Sequence, residues 1–204
     1  MKNSRYYLKL DKKHCFPNIR NLFLILLLGI LVSCSGKVYQ KTDYTFYEKT
    51  FKLDKSSALR TDGVYVLDQI WTDENGGTFR KPKEHRFYKF YVTGQCNLTI
   101  DPTSEIATKE KYINSLSKDL LAKKERLFEG YYKLKDNKIV IQNRVVPRQQ
   151  FEYKYGFIEK DSLMIVTSIS KGKGQFRDEY FISAYKEYYV FIPLDIKNEN
   201  EPQW

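Results

Sequence analysis

From about residue 61 onward the sequence repeats one device: a short run rich in Tyr, Phe, Val and Ile, a polar or glycine-containing joint, and another such run. Aromatic and β-branched side chains suit a pleated surface, and runs recurring at roughly ten-residue intervals between turn signals mark an all-β chain. Strands are read near 61–70, 86–92, 96–100, 129–135, 138–143, 151–158, 163–170, 176–185 and 188–193. Tight joints are expected at Thr93-Gly94-Gln95, Asp136-Asn137, Lys160-Asp161, Lys171-Gly172-Lys173-Gly174 and Lys186-Glu187. Asp136-Asn137 suits a two-residue hairpin because both residue types tolerate positive φ. Successive hairpins make neighbouring strands antiparallel, and a meander of eight to ten such strands hides its edges by closing into an up-and-down barrel.

Alternation along these runs assigns their faces. In RFYKFYV, Tyr88, Phe90 and Val92 share one face, and Phe87, Lys89 and Tyr91 share the other. In FRDEYFISAY, Phe176, Tyr180, Ile182 and Ala184 oppose Arg177, Glu179 and Phe181. The faces carrying Lys89 and Arg177 should look outward. Leu163-Met164-Ile165-Val166 is apolar on both faces, so that strand needs cover outside as well as from the lumen. One segment departs from the pattern: across about 103–125, Ile106, Ile113, Leu116 and Leu120 recur near helical spacing, after Asp101 as N-cap and Pro102. One inserted α-helix is expected there. Its lysines, interleaved with Glu110, Asp119 and Glu125, read as a solvated face.

The N-terminal part has a different logic. LFLILLLGILV, residues 22–32, carries no charge and follows Lys2, Arg5, Lys9, Lys12, Lys13 and Arg20. As a helix it would span only about 16 Å, roughly half a bilayer's hydrocarbon core. A basic segment, a short apolar run and then small residues make a secretory signal peptide. The run ends in Leu31-Val32-Ser33-Cys34, which resembles the lipobox of bacterial lipoproteins. That resemblance implies cleavage before Cys34 and acylation of its thiol, and two or three acyl chains hold a protein on a membrane where one does not. The expected organisation is a signal-peptide helix within 1–33, a lipidated cysteine and flexible tether over 34–50, and a barrel domain over 51–204. Lipidation of Cys34 is favoured over a disulfide with Cys96, which reads as a small buried residue in a strand.

Loss of residues 1–33 leaves 29 basic and 24 acidic residues, so half of the formal charge of +10 belongs to the export signal. Nucleic acid is therefore not an expected partner. The membrane is, through the lipid. SGKVYQ after the cysteine lacks the acidic run that marks some surface-exported lipoproteins, and the expected location is an outer or other envelope membrane, facing the periplasm.

Beyond the anchor, the stretches LRTDGVY (59–65), FYKFYVTG and GYYKLKDNKIVI resemble lipocalin-like lipoproteins of the kind common in Bacteroidota. Gly63-Val64-Tyr65 is similar to the glycine, any residue, tryptophan opening of lipocalins, with tyrosine at the tryptophan place. The resemblance implies a lipocalin-like barrel whose interior can take a small apolar or amphipathic ligand. A solid barrel acting through protein contacts is the alternative. Among the 17 Tyr and 13 Phe, the residues assigned either to core packing or to ligand contact are Tyr65, Tyr88, Phe90, Tyr153, Tyr155 and Tyr180.

Catalysis is not expected. Only one histidine, His85, follows Cys34, and no GxSxG, HExxH or P-loop pattern occurs. One imidazole supports neither a several-histidine metal site nor more than one arrangement of a Ser-His-Asp triad. No cofactor and no metal are expected.

Overall fold

A computed structural model of the chain describes residues 40–101, 129–145 and 150–194. The segment read as a signal peptide, Cys34 and the helix expected over about 103–125 lie outside the described residues. Nine strands are described: β1 (Gly63–Thr72), β2 (Thr78–Arg80), β3 (His85–Phe90), β4 (Gln95–Asp101), β5 (Glu129–Lys135), β6 (Lys138–Val145), β7 (Gln150–Glu159), β8 (Ser162–Ile169) and β9 (Tyr185–Pro193). All pairings are antiparallel, from β1–β3 through β8–β9, and β9 returns along β1 to close an eight-stranded barrel. The ninth strand, β2, folds back on the end of β1, with Trp71 opposite Phe79. The all-β, antiparallel, closed architecture read from the sequence is thus the observed one.

Two hairpins turn without glycine. Lys135 pairs with Lys138 and Glu159 with Ser162, so each loop has two residues. Asp136 (φ 56°) and Lys160 (φ 48°) take the left-handed conformation those turns require.

Residues 176–184 do not form a strand. They lie in a loop carrying a 3₁₀ turn, Asp178–Phe181, and the tight joint expected at Lys186-Glu187 falls inside β9. The cause is competition for an edge. β9 occupies the whole free side of β1, from Gly63↔Pro193 to Thr72↔Tyr185, with one bulge at Asp68, so no partner remains for the preceding residues. Released from the sheet, they pack on its outside instead: the 3₁₀ turn lies against β7 and β8 and supplies part of the cover that the doubly apolar β8 demands.

The barrel therefore has two apolar layers. Inside it, Tyr65, Tyr88, Phe90, Cys96, Leu98, Tyr132, Ile139, Ile141, Leu163, Tyr189 and Phe191 are buried against one another. Outside β5–β7, Tyr131, Val140, Tyr153 and Tyr155 are covered by Tyr44 and Phe46 from the N-terminal side and by Phe181 from the loop. Tyr44 and Phe46 fall in the stretch read as tether, yet only 5% and 6% of their surfaces are exposed. Gln142 pins this cover: its Oε1 accepts from the Phe46 amide (3.0 Å), and its Nε2 donates to the Tyr153 hydroxyl (3.1 Å). Gly174 (φ 64°) passes so close beneath Phe46 and Tyr153 that a Cβ has no room. Lys89 points outward as expected but is buried, with its ammonium donating to the Thr61 carbonyl at 2.8 Å.

Candidate functional site

The two ends of the lumen differ in chemistry. At the end holding the 91–94, 136–137 and 160–161 turns, residues 51–60 close the barrel: the Leu53 amide donates to the Val92 carbonyl (2.8 Å), Leu59 is buried, and the Phe51 ring meets Tyr132 at 5.6 Å. Above them, rings fill the bore, with centroid distances of 5.7 Å for Tyr65–Phe90, 5.3 Å for Phe90–Tyr132, 5.1 Å for Tyr65–Phe191 and 5.2 Å for Tyr88–Tyr189. The hydroxyls of Tyr65 and Tyr132 are satisfied at the periphery. Tyr132 donates to the Tyr91 carbonyl (2.8 Å), and Tyr65 accepts from the Arg60 amide (2.9 Å).

At the opposite end the same inward-facing positions carry charge. β7 alternates aromatics outward (Phe151, Tyr153, Tyr155, Phe157) with Glu152, Lys154 and Gly156 inward, because Lys154 pairs with lumenal Ile141 and Gly156 with lumenal Ile165. β9 sends Tyr185, Glu187, Tyr189 and Phe191 inward, and β3 sends Arg86, Tyr88 and Phe90. Arg86, Glu152, Lys154, Ile165, Thr167, Ser168, Tyr185 and Glu187 line an open cavity of about 230 Å³. A second cavity, about 480 Å³, lies beside it, lined by Ile70, Arg80, Lys83, Glu84 and Arg86. It opens where β1 leaves β3: only Tyr65 and Val66 of β1 pair with β3, and β2 takes over at Ile70.

Glu187 organises this mouth. Its Oε1 accepts from Arg86 (2.8 Å) and from the Tyr185 hydroxyl (2.9 Å), and its Oε2 accepts from the Tyr189 hydroxyl (2.7 Å). Glu84 holds the other side of the Arg86 guanidinium through Nε (2.7 Å) and Nη2. Burial works to lower the Arg86 pKa, but Glu187 and Glu84 more than offset it, and the guanidinium is held charged. Burial, with the Glu187 carboxylate, pushes the Tyr185 hydroxyl up to about 12 and the Tyr88 hydroxyl well above its ordinary value.

Two groups in this region have unspent bonding capacity. The Lys154 side chain is only 12% exposed, and its nearest carboxylate oxygen, Glu152 Oε2, is 3.8 Å away, beyond hydrogen-bond reach. Burial lowers the Lys154 pKa, with Glu187 and Glu152 pulling the other way. The Tyr88 hydroxyl, wholly buried, has no hydrogen-bond partner among the described residues.

The six aromatic candidates separate onto two sides of the wall. Tyr65, Tyr88 and Phe90 are lumenal and pack on one another, whereas Tyr153 and Tyr155 face outward under the cover, with the Tyr180 ring tilted against Tyr155 at 4.9 Å. The mouth residues Arg86, Glu152, Lys154, Tyr185 and Glu187 escaped the sequence reading. Their signal was the phase of alternation itself, charges at 152, 154 and 187 interleaved with aromatics. His85 opens β3 opposite Asp101, and Cys96 is a free, buried thiol whose pKa burial raises. No group of three or more potential metal ligands occurs among the described residues.

The fold and site define a closed antiparallel β-barrel with an aromatic-filled lower bore and a charged mouth. No protein-family model matches the chain, and no curated protein or solved structure is significantly similar to it.

Proposed function

We propose that this chain is a cell-envelope lipoprotein of the lipocalin-like kind, anchored through lipid on Cys34 and facing the periplasm, whose barrel binds a small polar or amphipathic molecule at its open end. The observation that carries the binding reading is the cavity of about 230 Å³ at the mouth, with Lys154 and Glu152 facing it. A volume below the roughly 300 Å³ where drug-sized pockets begin suits a compact metabolite or a head group, not an acyl chain. Rings occupy the deeper bore, so the apolar cargo implied by resemblance gives way to a polar one, or to the polar end of an amphiphile. A largely buried ammonium with no hydrogen-bond acceptor among the described residues costs stability that an anionic or carbonyl ligand group would recover.

Native mass spectrometry of protein purified from its source membranes tests both parts. The expected result is a polypeptide beginning at Cys34 and carrying acyl mass, together with a small co-purified molecule lost in Lys154→Met. A full-length, unacylated chain would overturn the anchor. A ligand-free protein indistinguishable from Lys154→Met would leave the solid-barrel reading in its place.

A further inference from the structure

Among the described residues, Lys154 combines a side chain only 12% exposed with an ammonium that makes no hydrogen bond. Lys89 is also buried, but it donates to a carbonyl at 2.8 Å; Lys138 reaches Asp178 at 2.6 Å and Lys81 reaches Asp68 at 2.8 Å. Lys154 faces the mouth cavity with no hydrogen bond among the described residues, the face of Tyr88 5.8 Å away and one carboxylate oxygen at 3.8 Å. Desolvation and the nearby Arg86 guanidinium favour the neutral, nucleophilic form of such an amine, while the Glu152 carboxylate opposes it and stands ready as a proton acceptor.

We propose that Lys154 captures a small aldehyde in the mouth cavity as a reversible imine. This rests on the reading of the mouth as a ligand site and names the ligand's chemical class. The neutral amine adds to the carbonyl carbon, forming the C–N bond and placing the carbonyl π pair on oxygen, which takes a proton to give a carbinolamine. The nitrogen lone pair then expels the hydroxyl as water, leaving C=N. Nothing is oxidised or reduced, and one water leaves. Glu152 is the nearest group able to accept the proton shed by nitrogen and return it to the departing oxygen. Arg86 lines the same cavity and, with Nε and Nη2 on Glu84 and Nη1 on Glu187, keeps N–H groups for an acceptor atom on the aldehyde. The lowered Lys154 pKa works in the same direction, because it enlarges the share of free amine at neutral pH. An exposed lysine such as Lys173 has none of this surrounding.

The test uses glyoxylate as probe on the full protein at neutral pH, with cyanoborohydride to trap imines as stable amines and peptide mass mapping to locate them. Lys154 should be trapped roughly tenfold or more faster than Lys173, and Glu152→Gln should slow trapping at 154 without changing it at 173. Lys154→Arg, which keeps the charge but not the nucleophile, should show no adduct at 154 while retaining its cooperative melt. Trapping at Lys154 no faster than at Lys173 would overturn the proposal. A parallel melt with glycolate, which lacks the carbonyl, separates the two readings. A glycolate-dependent rise in Tm without trapping removes the imine and keeps the ligand site; no rise and no trapping removes both.

Discussion

The two ends of one bore solve the problem of filling a barrel in opposite ways. At the closed end, Tyr65, Phe90, Tyr132 and Phe191 meet edge to face and the two tyrosine hydroxyls bond backbone groups at the rim, so burial is almost wholly apolar. At the open end, Glu187 gathers Arg86, Tyr185 and Tyr189 into one network, while Lys154 and the Tyr88 hydroxyl have no hydrogen bonds among the described residues. The first arrangement maximises stability and leaves nothing to bind. The second leaves bonding capacity directed at a cavity, on which the proposed ligand site rests. Tyr88 marks the boundary, its ring stacked on Phe90 at 5.6 Å below and its hydroxyl among the charges above.

The largest effects should expose this contrast directly. Phe90→Ala opens a void in the ring-packed half and should cost about 3–5 kcal/mol. Glu152→Ala, at a side chain 27% exposed and only loosely paired, should cost under about 1 kcal/mol. Urea unfolding of the two variants checks it, and equal losses would mean that the mouth is as structural as the bore.

Tyr88→Phe sharpens the boundary. It removes a buried hydroxyl with no partner while keeping the ring, and should leave stability unchanged or raise it by about 1 kcal/mol. A loss above about 1 kcal/mol in a denaturation midpoint would show that the hydroxyl is satisfied after all.

The smallest effect is one of pH. Burial depresses the folded-state pKa of Lys154 below the usual 10.5, so between the two values the unfolded chain holds a proton that the folded chain has released. Stability from this group therefore rises with pH across that window, and its penalty is fully present below it. Comparing Lys154→Met with the parent from neutral pH toward 10.5 should show the parent gaining stability relative to the variant as pH rises. A parallel pair of curves would contradict the desolvated amine.

How much of this was legible beforehand differs by region. Hairpins set by local chemistry were readable: Asp136-Asn137 and Lys160-Asp161 turn where turn residues interrupt apolar runs, and the strands around them fall close to the expected spans. The stretch 176–184 was misread because its alternation is as strand-like as that of β9. Only one of the two can lie on β1, and that competition is invisible locally.

The face of β7 shows the same limit. In QFEYKYGF the aromatics look like lumen and the charges like surface, yet the wall is turned the other way. The reason is the second apolar layer. Tyr44, Phe46 and Phe181 cover the outside of β6 and β7, so burial is available on both faces, and hydrophobicity no longer identifies the interior.

The sequence by itself determined that this chain would be antiparallel β, with hairpins at its tightest turns, because turn chemistry and period-two alternation act between neighbours along the chain. Only the tertiary structure decided which run closes the barrel, which face of β7 looks inward, and that Arg86, Glu152, Lys154 and Glu187 converge on one cavity. Those choices depend on contacts between residues far apart in the chain, such as Arg86 with Glu187 and Gly63 with Pro193, and no local pattern encodes them.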